Sequence, residues 1–445
     1  MTAQHNDLAQ QVLTRVSAAG ASGDLIVDCA EALSLKARDG QLEEYKVSNS
    51  QIFGLRVIHQ GRVGSAYSES SDTQALASMV DSALSNARYA APEPSERILD
   101  STSQLHSDDL RLCPEDNCEI DEKIQFALAL EQQLASRDWV KTVPYNGVQD
   151  VISNRSIYSS AGLQASGNRR HCSAHAYALV ERAGNSAMAG TGQAARRFSE
   201  LDVATLIDAA HGNAIDMLPG AAVASGRYDV IFDCDVGPSL WEVFSPMFSG
   251  KLAKDGVNPM RDKLDQPIAD SRLTVSDMPR CELGLGYQLF DAEGHATHQH
   301  NLIVDGRLNS LLHNSATGSF FNLASTGHAA RGPKSTLDVR PHQLVISAGT
   351  SAEQGNLVQD QYLELTALTG LHSGANIISG DFSFGASGFL CADGLRQRAV
   401  RHITVAGNFY KMLNNISMIG DNQYWNWQHS MRSPLIRFSK LAISG

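Results

Sequence analysis

No His-Glu dipeptide occurs anywhere in the 445 residues, so neither H-E-x-x-H nor H-E-x-x-x-H can be written along the chain. That excludes a metallohydrolase built on the helix motif in which two histidines hold zinc and the glutamate acts as base. A basic surplus is also missing: 36 Lys and Arg stand against 48 Asp and Glu, a formal net charge of -12. Proteins that grip phosphate backbones show the reverse, so direct nucleic-acid binding is not expected. Two short basic clusters, Arg169–Arg170–His171 and the stretch from Arg396 to Arg401, read as solvated strand ends. The seven cysteines are odd in number and irregularly spaced. Only Cys113 and Cys118 stand close, as C-x4-C, with no second pair to complete a four-ligand zinc site. Reduced thiols in a cytosolic protein is the plain expectation. No apolar run approaches the ~18 residues of a membrane span. The first residues lack both the basic and the apolar region of a secretion signal. A soluble, cytoplasmic protein is expected, with no membrane and no nucleic acid among its partners.

What is present suits a globular chain: 42% hydrophobic and 19% charged residues, in a length that one core rarely fills. Apolar residues recur at helical spacing over residues 7–16, 73–89, 122–137 and 204–218. Leu76, Met79, Val80, Ala83, Leu84 and Ala87 are expected on the buried side of the second helix, and Ile124, Leu128 and Leu134 on that of the third. A strand begins at 25–27, and a hairpin turns at Gln60–Gly61. Residues 95–119 are polar, acidic and aperiodic, and read as a long surface loop. Alternation over 151–198, with turns at Ala161–Gly162 and Gly184–Asn185, reads as antiparallel strands. Residues 219–226 are small and flexible in composition, and after them strand patterns dominate, with hairpin turns at Asp305–Gly306 and Asp393–Gly394. The expected class is α+β. Residues 1–222 form a mixed domain with an antiparallel sheet, and residues 223–445 a mainly antiparallel β domain.

Three clusters carry residue types that could do chemistry. His295, His298 and His300 are the densest group of histidines, and His298 and His300 would share a strand face, a spacing metals can use. The same polarity also fits an exposed strand and turn. Ser373 follows His372, with Asp381 nearby. Neighbours on a strand face opposite sides, however, and Leu371 and Ala375 stand where G-x-S-x-G needs glycine. Residues 380–388, GDFSFGASG, carry Ala386 where a phosphate-binding loop needs lysine. They read instead as a glycine-rich strand with bulges, where backbone passes close to backbone or to a ligand.

Several segments share an order that resembles one family. They are residues 370–389, GLHSGANIISGDFSFGASGF, continuing through Ala392–Asp393–Gly394 to residues 403–408, ITVAGN, and then residues 412–421, MLNNISMIGD. Upstream lie residues 290–294, FDAEG, leading to Val304–Asp305–Gly306 and to residues 325–329, STGHA, with Gly54–Leu55–Arg56–Val57 and Gly64–Ser65–Ala66 in the first half. Together they resemble the TldD/PmbA family, also labelled modulators of DNA gyrase or peptide-maturation proteases. The likeness is strongest towards the C-terminal end and looser before Arg227.

The resemblance implies a division of labour. TldD-type chains carry H-E-x-x-x-H and hold the metal, whereas PmbA-type chains, also called TldE, lack it and pair with a TldD-type partner. This chain looks PmbA-type. Set against the motif, Trp241 and Pro246 take the two histidine places and Glu242 keeps the glutamate, with no catalytic role assigned to it. Neither Trp nor Pro can donate a lone pair to zinc, so no metal or other cofactor is expected in this chain, and Zn is expected in the partner subunit. The resemblance also suggests a peptide-substrate groove near His372, Ser373, Gly374, Asp381, Ser383, Gly385 and Gly388, with an exposed edge of the glycine-rich strand accepting an extended peptide. Leu371–His372 and Cys391–Ala392 depart from relatives. A heteromer with a TldD-type homologue is expected, and a homodimer when the chain is isolated. Two alternatives remain: a non-catalytic regulatory protein linked to gyrase or to a toxin–antitoxin system, and an independent metalloenzyme built on His295, His298 and His300.

Overall fold

A computed structural model describes residues 2–98, 104–106 and 108–445. The first half opens with α1 (Thr2–Ala18), then β1 (Ser22–Arg38), β2 (Gln41–His59), β3 (Arg62–Ser68) and α2 (Thr73–Tyr89). After β4 (Gln104–His106) and α3 (Asp109–Leu112) come α4 (Ile120–Ala135), β5 (Val140–Ser159), β6 (Gln164–Arg182), β7 (Asn185–Ala195) and α5 (Val203–Met217). The strands form one sheet in the order β3-β2-β1-β5-β6, with β4 and β7 both pairing with β6. Asp72 and Asp202 start α2 and α5 by accepting backbone N–H groups of the first turn. The expected turn at Gln60–Gly61 exists because both residues take positive φ, 52° and 69°.

The second half runs through β8 (Gly226–Phe232), α6 (Val236–Phe244), α7 (Gly250–Lys254), β9 (Val275–Asp277), β10 (His300–Val304), β11 (Arg307–Leu308) and α8 (Ser315–Phe321). It continues with β12 (Ala329–Ala330), β13 (Asp338–Val339), β14 (Leu344–Ile346), α9 (Ser351–Leu357), β15 (Gln361–Thr369) and β16 (Asp381–Ala392). It ends with β17 (Leu395–Asn408), α10 (Phe409–Met412), β18 (Ile416–Trp425) and β19 (Met431–Ser444). The main sheet orders β11-β10-β9-β14-β19-β17-β16-β15-β8, and β8 also pairs with β19. Strands β19, β17, β16, β15 and β8 therefore close on themselves around Phe384, Val405, Leu363 and Phe244. Closure removes the free edges that an open sheet would expose. The chain is α+β, as its sequence indicates. No helix among the described residues is long and apolar enough to cross a membrane.

Several local expectations need correction. The stretch 95–119 is not simply a loop: part of it lies outside the described residues, and the rest contains β4 and α3, with Leu112 buried. Helix α4 buries Ala127, Leu130 and Leu134, while Ile124 and Leu128 are only half-buried. Lys123 and Glu131 share its buried face because each has a partner there. Lys123 reaches Asp150 at 2.6 Å, and Glu131 accepts the N–H groups of Asp39 and Gly40. Arg169–Arg170–His171 is not a strand end but lies inside β6, with Arg170 buried against Asp150.

The two halves pack closely. Arg56 of β2 donates to Asp24 (2.9 Å), Glu96 (2.8 Å) and Glu293 (3.1 Å), and Glu293 also accepts from the backbone of Ser315 at the start of α8. Asp24 also pairs with Arg331. A Cβ at Gly54 would come within 2.3 Å of the Pro333 backbone, so glycine there permits the approach. The FDAEG segment thus acts as a clamp. Glu293 binds Arg56, and Asp291 accepts the backbone N–H groups of Glu293, His295 and Ala329.

Candidate functional site

Asp233 follows β8 and accepts the N–H groups of Asp235 and Val236, which fixes the start of α6. On α6, Trp241 and Phe244 turn inward. Trp241 meets the Phe409 ring edge-on at 5.2 Å, and Phe244 stacks on it at 4.5 Å. The helix ends at Phe244, and Pro246 stands in the short 3-10 turn that follows, Ser245–Phe248. The H-E-x-x-x-H spacing would require the helix to continue through 246. In this register the chain therefore lacks both the ligands and the helical length. The indole N–H only donates, and a proline ring has no donor atom to offer a metal. Among the described residues no group of three or more His, Cys, Asp or Glu is placed to hold an ion. The residues at this position do not fit zinc.

Glu242 is exposed and its carboxylate makes no hydrogen bond or ion pair with a described residue. It lines a cleft of about 450 Å³ together with Pro246, Arg340, His342 and Met431.

The histidines of 295–300 are not gathered. His298 is exposed, whereas His300 opens β10 with its ring 5.1 Å from that of His328. The Nε2 atoms of His295 and His300 are buried without a partner. This removes the three-histidine ligand set.

A catalytic-looking chain arises elsewhere. His328 Nε2 lies 2.7 Å from Asp277, and its Nδ1 lies 2.9 Å from the Thr326 hydroxyl. The order hydroxyl–imidazole–carboxylate is that of a nucleophilic triad. Yet His328 and Asp277 are fully buried, and Thr326 Oγ1 already accepts the His313 N–H. Asp277 also accepts the N–H groups of His342 and Gln343. Burial tends to raise its pKa, but the His328 hydrogen bond and charge, with backbone donors, hold the carboxyl below its usual value. The chain is a buried strut joining β9, the 326–328 segment and the start of β14.

The remaining sequence-derived residues lie on one hairpin. His372, Ser373 and Gly374 form the turn after β15, with His372 and Ser373 exposed. Asp381 and Ser383 are exposed on β16 and alternate with the buried Phe382 and Phe384. Asn408 and Ser379 each bind the Asp381 carboxylate at 2.8 Å and keep its pKa low. A Cβ at Gly385 would meet Thr369 Oγ1 at 2.4 Å, and one at Gly388 would meet the Glu364 carbonyl at 1.9 Å. These glycines let β15 and β16 approach. Strand β16 lies between β15 and β17, so the expected exposed edge is absent and a peptide cannot add there as a further strand.

A cavity of about 730 Å³ lies between the two sheets and is lined by Asp233, Asp235, Arg401, His402 and Trp427. Burial pushes Asp233 up to about 7 and raises Asp235 as well. Sequence reasoning passed over this pair. The available signal was two carboxylates directly behind the apolar run Val230–Ile231–Phe232.

Three family models match in chain order: PmbA/TldA metallopeptidase domain 1 over residues 30–87, the central domain over 113–218 and the C-terminal domain over 225–445. The chain is 27% identical to the metalloprotease PmbA of Escherichia coli O157:H7, covering 94% of this chain and 92% of the relative. It is 25% identical to the metalloprotease PmbA homolog of Haemophilus influenzae, covering 100% and 98%. Two solved structures share the fold. One is a proposed modulator of a DNA gyrase from Thermotoga maritima, with TM-score 0.85, 22% identity and coverage of 99% and 100%. The other is TldE from Thermococcus kodakarensis, with TM-score 0.84, 18% identity and coverage of 99% and 100%.

Proposed function

The chain belongs to the PmbA/TldD metallopeptidase family, and on that premise we propose that it is the non-metal subunit of a two-chain peptidase. In this reading the TldD-type partner carries the zinc and the glutamate base, and the metal chemistry of peptide hydrolysis belongs wholly to that partner. The carrying observation is α6, with an indole packed into the core at 241 and a helix end before Pro246. This chain contributes the interface and a wall of the peptide groove. The exposed turn with His372 and Ser373 supports such a surface, because Ile378 on the same turn is also exposed, at 54%. Seven unpaired cysteines suit a reducing, cytoplasmic setting.

The test mixes the purified chain with a TldD-type homologue. Peptide cleavage should need both chains and be stopped by a chelator. Peptide cleavage by this chain alone after chelation would sink the reading. If a pull-down recovers no TldD-type chain and mixing gives no cleavage, the non-catalytic regulatory alternative takes its place.

A further inference from the structure

Among the described residues, Arg169 of β6 has no carboxylate partner. Its guanidinium makes no hydrogen bond or ion pair with any described residue, although the side chain is largely covered. Arg170, the next residue, faces the other side of the sheet and is fully engaged with Asp150. Covered charges are normally paired, because desolvation is costly and only a partner offsets it.

The surroundings of Arg169 form a pocket of about 370 Å³. Its floor is two cross-strand rows on one face of the first sheet. Pairing runs Ser50–Ala30–Ser153–Arg169 across β2, β1, β5 and β6, and beside it Ile52–Asp28–Arg155–Gly167. Directly paired residues point to the same side, so these side chains share one face. Small residues at 30, 50, 153 and 167 leave room next to the guanidinium. The hydroxyls of Ser50 and Ser153 make no hydrogen bond with a described residue. The roof is Leu112 of α3 and residues 288–290 of the second half, and Ser50 at the rim is exposed.

The charge balance is positive. The carboxylate in the pocket, Asp28, is held in two-point contact by Arg155, at 2.8 and 2.6 Å. Arg196, close enough to act on Arg169, donates to the carbonyls of Leu112 and Gly284 and makes no ion pair with a described residue, with Glu200 the carboxylate near enough to act on it. Burial first, and then repulsion by Arg155 and Arg196, push the Arg169 pKa down to about 10.

We propose that Arg169 anchors a binding site for a small anion, a molecule bearing a phosphate or a carboxylate, in the pocket between the first sheet and residues 288–290. A planar guanidinium fork matches either group with two parallel hydrogen bonds, and the Ser50 and Ser153 hydroxyls supply further donors. The volume is near the lower end of the ~300–1,000 Å³ typical of small-molecule sites, which favours a compact ligand over a polymer. The site is independent of the peptidase reading and needs no partner chain.

Calorimetric titration of the full chain with inorganic phosphate, and separately with acetate, tests the site. Saturable binding of at least one is expected, and their relative affinities tell phosphate from carboxylate. Arg169→Gln should weaken the binding by about tenfold or more, the loss expected for a charge-assisted contact. Arg398→Gln, an exposed arginine of β17, should leave it within about twofold. A parallel melting series should show the bound anion raising the Tm of the wild type but not of Arg169→Gln. Should Arg169→Gln not fold, Arg169→Lys, which keeps the charge but loses the fork, is used and should also bind more weakly. No saturable binding of either anion, equal affinity in both variants, or an equal rise in Tm would overturn the proposal.

Discussion

At position 241 an indole stands edge-on to Phe409, and at 242 a carboxylate points into an open cleft. Their substitutions should differ accordingly. Trp241→Ala empties a packed aromatic site and should cost about 3–5 kcal/mol in denaturant unfolding. Glu242→Ala removes an exposed, unpaired side chain and should stay within about 0.5 kcal/mol by the same assay. A large loss at 242 would mean the glutamate serves the fold.

Asp233 gives a pH prediction. Its pKa in the folded chain is about 7, raised from an ordinary 3.8 mainly by burial. Between those values the native state holds a proton that the unfolded chain has released. Stability from this group is therefore present at low pH and is lost as pH rises through about 7. Asp233→Asn keeps the acceptor that caps α6 but removes the titration. Relative to wild type, the variant should gain stability as pH rises from about 4 to about 7 and level off above that in melting experiments, and parallel profiles would contradict the assignment.

Among the elements, the β15–β16 hairpin needs glycine where its two strands approach most closely. Gly388→Ala would drive a Cβ into the Glu364 carbonyl and should cost about 1–3 kcal/mol, read from the shift in unfolding midpoint. The sequence made this strand legible as glycine-rich and close to other backbone. It could not say which neighbour was close, since pairing partners are far apart in the chain. Helices α1, α2 and α5 were legible because each carries an uninterrupted apolar stripe. Helix α4 was misread by about one position because Lys123 and Glu131 are buried through partners on β5 and after β1, which no local pattern encodes. Short elements such as β4 and α3 are too brief to show a period at all. The role of 290–294 was also hidden: Glu293 looks solvated in sequence, yet its partner Arg56 lies 237 positions away.

For the molecule as a whole, the halves are joined by an ionic lock at Arg56 and, at a separate place, by shared apolar packing. Ile231, Tyr362, Phe389 and Ala399 of the second half share a core with Ala174, Leu206 and Met217 of the first. Arg56→Ala would leave Glu293 buried without its cation and Asp24 with Arg331 alone, and should cost about 3–5 kcal/mol, seen in urea unfolding. The candidate site was only partly legible at this scale. The missing H-E-x-x-x-H motif could be read directly. The cavity at Asp233 and Asp235 and the pocket at Arg169 could not, because each is assembled from strands or halves that meet only in the folded chain.

The most direct measurement is peptide hydrolysis by this chain and a TldD-type homologue, alone and mixed, with metal content determined for each. Cleavage is expected only in the mixture, abolished by chelation, with zinc in the homologue and none bound stoichiometrically by this chain. Metal-dependent cleavage by this chain alone, or undiminished activity of the homologue without it, would rule out a metal-free subunit of a two-chain peptidase.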